Sequence, residues 1–439
     1  MRSTPFCPLR ADLDRLKLAR LADLLDRVLP GNAFYVAKLG GRRPPGSFDE
    51  FADWPLTTKA ELVGGVVDGV PANLTFAPAA YVRYHQTSGT HGRPLPVYDT
   101  AADWEWWMEC WRMVLERGAV GPGDRVLVAS SFGPYVGFWS GFEGVVARGA
   151  MAIPTGGMSS LARLELARAT RATVLVATPS YALHLAEVAA VAGIDTSALP
   201  IRLLVLAGEP GGSVPAVRAA LGVAWRADVL DHAGASEVGP WGVGGSIAGR
   251  PASASGGDPW LEVIEEWFHP EFLPFAAGGS PGLAELVLTT LGRIGAPVIR
   301  YRTGDVVRPR WPSADEVAAG ASPRVRLVGG ILGRSDDMLL VRGVNIFPSA
   351  IDGIVRAFPE VAEYRVTVET REHLGHLVIE VEDRLHAPAR IADALRLGLG
   401  LRIDVIDVQP GSLPRFEGKA RRVVDRRTAP GPLPTEASP

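Results

Sequence analysis

A chain of 439 residues, 47% of them hydrophobic, is long enough to bury a large core and predicts a globular protein of two or three domains. Its 45 Lys and Arg against 48 Asp and Glu leave a net charge of −3 with no long basic block, which argues against phosphate-backbone binding and hence a nucleic-acid partner. Two cysteines, Cys7 and Cys110, are too few for a disulfide framework or a four-thiolate metal centre, and read as packing residues in a reducing compartment.

Leucines recur at helical intervals over residues 12–28, which predicts an amphipathic helix, and the Gly and Pro-rich residues 40–46 then break the pattern. Residues 1–80 are read as a helical lead-in region of a large domain. Arg, Asp and Lys interrupt residues 1–30 every few positions, so no signal peptide is expected. Apolar stretches such as residues 145–154 are broken by Arg or Gly well short of the ~20 residues that span a bilayer, which predicts a cytoplasmic protein with no membrane partner. Over residues 102–116, Trp104, Trp107 and Trp111 fall near one helix face and read as core or interface packing rather than a cofactor box.

From residue 81 onward, β-rich runs at 125–129, 173–177 and 202–206 alternate with helical patterns at 160–170 and 181–191, the mark of parallel α/β layers. They make residues 81–332 the α/β core of the large domain. After Leu332 the order is strand (338–341), helix (348–358), strands (364–370 and 377–382) and helix (389–399), which predicts a small α+β domain over residues 333–427. Residues 428–439, rich in Pro and small side chains, read as a disordered tail. The expected fold class is therefore α/β: a large multi-layer N-terminal domain plus a small mobile α+β C-terminal lid.

Chemistry concentrates in a few segments. Thr87-Ser88-Gly89-Thr90-His91-Gly92-Arg93-Pro94 follows a strand pattern at 81–85, and its glycines, hydroxyls and Arg93 suit an anion such as phosphate, or else form an ordinary turn. It lacks the Gly-Lys-Ser/Thr ending of the common nucleotide loop. In Gly234-Ala235-Ser236-Glu237-Val238-Gly239 the carboxylate is either an Mg²⁺ ligand beside phosphate or a solvated acid. Asp305, in Arg300-Tyr301-Arg302-Thr303-Gly304-Asp305, either accepts ribose hydroxyls or caps a turn. Gly333-Arg334-Ser335-Asp336-Asp337 lies where the pattern changes, and Lys419 lies in a Gly-containing loop near the end; together they suggest a hinge and a lid that carries a cation.

In this order the segments resemble the adenylate-forming superfamily, and more closely its phenylacetate-CoA ligase branch, over residues 51–422. Trp54-Pro55-Leu56-Thr57-Thr58-Lys59, Thr178-Pro179-Ser180-Tyr181-Ala182-Leu183 and the segments 297–305 and 337–348 carry the closer likeness. The resemblance implies an adenylating large domain, a swinging lid, ATP with Mg²⁺, and coenzyme A as co-substrate. The acid and ATP are the implied partners, and the branch's tendency to form dimers adds a second copy of the chain. By the same likeness Thr87, Ser88, Gly89, Thr90, Gly92 and Arg93 hold phosphates, and Glu237 binds Mg²⁺. Asp305 takes the ribose hydroxyls, with Arg334 at ribose or phosphate. Gly208, Glu209 and Pro210, with Asp231, His232, Ala233, Gly234 and Ser236, line the nucleotide and acyl site. Asp336 matches the hinge, and Lys419 the catalytic lysine of adenylation, acting with Glu237 and Arg93.

Departures from the branch are also legible. Ala233 stands where relatives have an adenine-stacking Tyr, so His232 or another ring is a candidate substitute. His91 replaces a Thr of the phosphate loop and reads as a tolerated loop residue rather than a base. Residues 252–259 lack the Cys and His of many relatives, so no structural metal is expected there. Phe132, Gly133, Tyr135, Phe138 and Gly157 are the predicted acyl pocket, and their aromatic rings point to an aryl acid. The acceptor is coenzyme A, or alternatively an amine, a carrier thiol or another nucleophile, nitrite activation included. A binding homologue that has lost catalysis is the alternative of a different class.

Overall fold

The computed structural model describes residue 7 and residues 9–87, 93–244, 259–275, 282–341, 344–371, 374–416 and 420–427. The lead-in comprises α1 (Arg10–Val28), α2 (Ala33–Leu39), α3 (Phe48–Ala52) and α4 (Lys59–Gly64). Along α1 the stripe Leu13, Leu21, Leu24, Leu25 and Val28 is buried, and the buried Lys17 ammonium lies 2.5 Å from Glu265 of the large domain. A buried cation is tolerated only with such a partner. Side chains of Asn32, Ser47 and Thr58 start the next helices by accepting from N–H groups of the first turn, and Glu61 completes a capping box on α4. The lead-in packs its Tyr35, Phe51 and Trp54 on Leu291, Ile294 and Ile299, so it is a face of the large domain and not a separate body.

An antiparallel hairpin, β1 (Tyr81–Gln86) and β2 (Pro96–Thr100), leads into α5 (Ala101–Arg117). Then come β3 (Arg125–Val128), α6 (Val136–Ala147), β4 (Met151–Pro154), α7 (Ser160–Thr170), β5 (Val174–Ala177), α8 (Pro179–Val191), β6 (Leu203–Leu206), α9 (Pro215–Trp225) and β7 (Asp228–Ala235). Strands β5 and β6 are buried at every position, as Val and Leu-rich strands covered on both faces by crossover helices must be. The chain continues through β8 (Gly239–Gly244), β9 (Trp260–Val263), β10 (Phe268–Pro274), β11 (Ala284–Thr290), β12 (Tyr301–Arg310), α10 (Ala314–Ala318) and β13 (Arg326–Arg334).

One 11-stranded sheet runs in the order β10-β11-β12-β13-β9-β8-β7-β6-β5-β3-β4. Its β3 to β7 half is parallel, as the alternating pattern predicted, whereas β8 to β13 pair antiparallel. Antiparallel neighbours need no crossover helix between them, and the strand and helix alternation upstream did not extend to this half. Strand β7 is the seam, parallel to β6 and antiparallel to β8.

The C-terminal part contains β14 (Leu339–Val341), β15 (Val344–Ile346), α11 (Pro348–Val355), β16 (Val361–Arg371), β17 (Leu374–Asp383), α12 (Pro388–Leu399), β18 (Asp404–Asp407) and β19 (Val423–Asp425). A four-stranded sheet of order β18-β17-β16-β19 carries its own apolar core, built around Ile351, Val366, Ile379 and Leu395. Gly333 and Arg334 lie in β13, with Arg334 paired to Asp305, so the large sheet extends through them. Among the described residues no helix is long and apolar enough to cross a membrane.

Candidate active site

The site forms where β7 ends and turns into β8. Glu237 sits in that turn, 8% exposed, and its carboxylate accepts from the Tyr301 hydroxyl at 2.8 Å. Lys59 Nζ lies 3.5 Å from the same oxygen, Oε1. Two distant segments are thereby joined, because Thr57 bridges main chain to main chain with Arg300 and Arg302 at the start of β12. Burial and the nearby Glu237 hold the Tyr301 hydroxyl well above its ordinary pKa, so it stays a donor; Asp305 and Arg334 act on the same hydroxyl. The main chain of Glu237 is fixed separately: Arg293 Nη1 donates to its carbonyl at 2.8 Å, while Arg293 pairs with buried Asp99 at 2.7 Å.

Farther along β12, Gly304 takes a left-handed φ of 77°, the conformation glycine adopts without strain. That turn presents Asp305, whose carboxylate lies 3.3 Å from Arg334 Nη1. Arg334 also holds Asp336 by paired contacts of 2.8 and 2.9 Å. Glu237, Tyr301 and Lys59 thus form one connected group, and Asp305, Arg334 and Asp336 form a second, with Tyr301 and Asp305 four residues apart on β12. Thr87 closes the base of the predicted phosphate loop, because its hydroxyl accepts from Leu95 N at 2.9 Å and its N–H donates to Leu95 O. Ser88, Gly89, Thr90, His91 and Gly92 lie outside the described residues, and Arg93 is exposed beside them. Among the described residues no hydrogen bond or ion pair joins Arg93 to the Glu237 group.

A cavity of about 110 Å³ lies against the same β7 end, walled by Trp107 and Trp111 of α5, Val136, Phe138 and Ser140 of α6, and His232. Gly208, Gly234 and Ser236 also line it. The tryptophans are core residues, as their spacing predicted, and Trp107 and Trp111 form this wall as well. Of the predicted acyl-pocket residues, Phe138 is on the wall. Phe132 instead packs edge-on against Trp139 and Phe142, and Gly133 O accepts from Trp139 Nε1 at 2.9 Å. Tyr135 is 47% exposed, and Gly157 is in an open turn after β4. The run divides in this way because α6 begins at Val136 and turns only one face towards the cavity.

Ala233 is buried, and its methyl faces Gly242, where an added Cβ would lie 3.0 Å away. Neighbouring strand residues face opposite ways, so His232, whose ring packs 4.5 Å from Trp111, is turned to the cavity and away from the Ala233 face. Asp231 is buried with Ser213 Oγ donating to it at 2.5 Å, and burial pushes its carboxyl up to about 6. Glu209 spans two bodies: Oε1 accepts from Ser180 N at 2.7 Å and Oε2 from Ala420 N at 2.9 Å. Pro210 beside it is exposed. Arg422 adds a contact to Ser180 Oγ at 3.1 Å. Lys419 and the residues 252–258 lie outside the described residues. Lys59, Tyr301 and the Asp99–Arg293 pair were not singled out from the sequence as site residues; for Lys59 the signal was present in the Pro55-Leu56-Thr57-Thr58-Lys59 segment.

The structure thus combines a buried acid held by a phenol and a lysine, an Asp305–Arg334 pair across β12 and β13, and a C-terminal part with its own apolar core. The comparisons place the chain. Residues 343–427 match the AMP-binding enzyme C-terminal domain. The phenylacetate-coenzyme A ligase of Escherichia coli (strain K12) is 32% identical over 410 residues, covering 88% of each chain. The crystal structure of 2-hydroxyisobutyryl-CoA ligase in the postadenylation state with 2-HIB-AMP matches with a TM-score of 0.85 at 26% identity, covering 95% of this chain and 90% of that one. In its thioesterification state, with 2-HIB-AMP and CoA, the same enzyme matches with a TM-score of 0.67 at 27% identity, covering 95% and 90%. The chain belongs to the phenylacetate-CoA ligase family of the adenylate-forming superfamily.

Proposed function

We propose that the protein activates a small aryl carboxylic acid with ATP, releasing pyrophosphate, and passes the acyl group from AMP to coenzyme A. The observation that carries the reading is the Glu237 carboxylate, held by Tyr301 and Lys59 in the same β7–β8 segment whose Gly234 and Ser236 line a cavity walled by aromatic and aliphatic side chains. An engineered apolar cavity of ~150 Å³ binds benzene, and the cavity here is of that order, which suits a single aromatic ring.

Adenylation brings an anionic acid onto the α-phosphorus of an anionic nucleotide, so the residues around it must offset charge. Arg93 and the 87–92 loop are assigned to the phosphates, Asp305 to the ribose and Lys419 to the charge that develops as the acid attacks. Glu237 fits Mg²⁺: Oε1 is engaged by Tyr301 and Lys59, while Oε2 has no hydrogen-bond partner among the described residues. Mg²⁺ favours one or two carboxylates with phosphate oxygens and water, and when bound it neutralises phosphate charge. Tyr301 and Lys59 orient the carboxylate, and Arg293 fixes its main chain.

The likeness to the postadenylation arrangement, higher than to the thioesterification one, supports assigning the present lid position to the adenylation side of the cycle. Glu209 and Ser180 would hold the segment that carries Lys419 there. We place the enzyme in the cytoplasm with its nucleotide substrate; a homodimer follows from the family likeness alone. Pyrophosphate release with ATP and a panel of aryl acids tests the reading, followed by thioester detection with coenzyme A. Replacing Lys419 by Ala should lower pyrophosphate release by more than about tenfold, as expected for a transition-state cation. A smaller loss overturns the assignment.

A further inference from the structure

The cavity wall is nearly all apolar, and most of its polar side-chain atoms are already used. Trp107 Nε1 donates to Asp99 at 3.1 Å, and Trp111 Nε1 donates to Ser140 Oγ at 2.9 Å. Ser140 in turn donates to Gly137 O at 3.0 Å. What remains, among the described residues, is the Ser236 hydroxyl and one nitrogen of His232.

The two nitrogens of that imidazole have different roles. Nδ1 lies 2.8 Å from Gly242 O, and a carbonyl oxygen can only accept, so the ring proton is on Nδ1. Burial holds the ring neutral by lowering its pKa to about 4. Nε2 is therefore an acceptor with a lone pair and no proton. It lies on the side of Gly234, where an added Cβ would come within 3.6 Å, and the absence of a side chain leaves that approach open. Gly234, His232 and Trp111 line the same cavity, and the Trp111 ring packs 4.5 Å from the imidazole.

A hydrocarbon ring seated here would cover this acceptor without satisfying it, whereas a ring bearing an N–H or O–H donor would meet it. We infer that His232 is a specificity-determining residue that selects amino- or hydroxy-substituted aryl acids over unsubstituted ones. The inference rests on the cavity's being the acyl site of the proposed reaction.

The test compares benzoic acid with its amino- and hydroxy-substituted isomers on the full-length wild type, His232→Leu and His232→Gln. Two readouts are taken: quenching of tryptophan fluorescence by the acid, which needs no chemistry, and kcat/KM for pyrophosphate release. In the wild type the best donor-bearing isomer should exceed benzoic acid by about 10–100-fold in both. His232→Leu should bring that ratio within about threefold, and His232→Gln, which keeps an acceptor, should restore part of it. A wild-type ratio near unity overturns the inference. So does a folded His232→Leu protein, judged by circular dichroism, that weakens all acids equally, because that is the signature of a structural role. Selective binding without pyrophosphate release from any acid would instead overturn the adenylation reading on which the inference rests, whereas pyrophosphate release without selectivity would overturn the inference alone.

Discussion

Replacing Arg293 by Met removes the cation that compensates Asp99 at a place where neither side chain reaches solvent, with exposures of 1% and 0%. Asp99 Oδ1 takes contacts from Arg293 Nε at 2.8 Å and Trp107 Nε1 at 3.1 Å, while Oδ2 has no hydrogen-bond partner among the described residues. Breaking a buried pair from one side leaves an uncompensated charge and costs about 3–5 kcal/mol, a large share of the ~5–15 kcal/mol typical of a folded domain. Arg293→Met/Asp99→Asn removes both charges, so it should recover about 2 kcal/mol or more of that loss. Equilibrium urea unfolding followed by circular dichroism measures each value. Burial pushes the Asp99 carboxyl up while Arg293 pulls it down, so the single variant keeps only the upward push. A carboxyl raised in the native state holds its proton to higher pH than in the unfolded chain, so stability falls as pH rises through the native pKa and the defect shrinks in acid. Arg293 also anchors the Glu237 carbonyl, and adenylation should fall with stability. Equal losses in the single and double variants, or a single loss under ~1 kcal/mol, would refute the reasoning.

Asp231 and His232 should act oppositely on stability. Burial lowers His232 to about 4, so its contribution is lost as pH falls from about 6.5 towards 4; it raises Asp231 to about 6, so stability is lost as pH climbs from about 4 to 6. The two slopes offset in the wild type, and urea midpoints across that window should fall towards acid in Asp231→Asn and towards neutral pH in His232→Leu. Gly144→Ala places a Cβ 2.7 Å from that of Trp111, which should cost about 1–3 kcal/mol in denaturant unfolding and raise KM for the acid by narrowing the cavity. Glu209→Ala removes acceptors for Ser180 N and Ala420 N. It should slow pyrophosphate release by about tenfold or more, yet change thioester formation from supplied acyl-adenylate by less than about threefold. Similar losses in both half-reactions would refute the docking role.

Much of the fold was readable because burial on both faces leaves an unmistakable composition. The Val and Leu runs that became β3, β5 and β6, and the Leu stripe of α1, carry their environment in their spacing. The C-terminal elements were readable for the same reason, β16 and β17 being amphipathic strands followed by the amphipathic α12. The antiparallel half was less legible, since strand direction depends on connections whose residues carry no direction of their own. At the site, the segments that carry Glu237, Asp305, Arg334 and Glu209 stand out locally, whereas of the expected pocket residues Phe138 lines this cavity and Phe132, Gly133, Tyr135 and Gly157 do not. A wall is assembled from α5, α6 and β7, and no single stretch of chain contains it.

By itself the sequence determined the helices, the strands and the order of the segments that carry charge, because propensity, periodicity and turn chemistry act over a few neighbouring residues. Only the tertiary structure decided that Tyr301 and Lys59 meet on Glu237, that Arg293 crosses to Asp99, and that the Gly242 carbonyl fixes the proton of His232 while Trp111 packs on its ring. Those contacts join residues far apart in the chain, and packing and burial select them only once the sheet has formed.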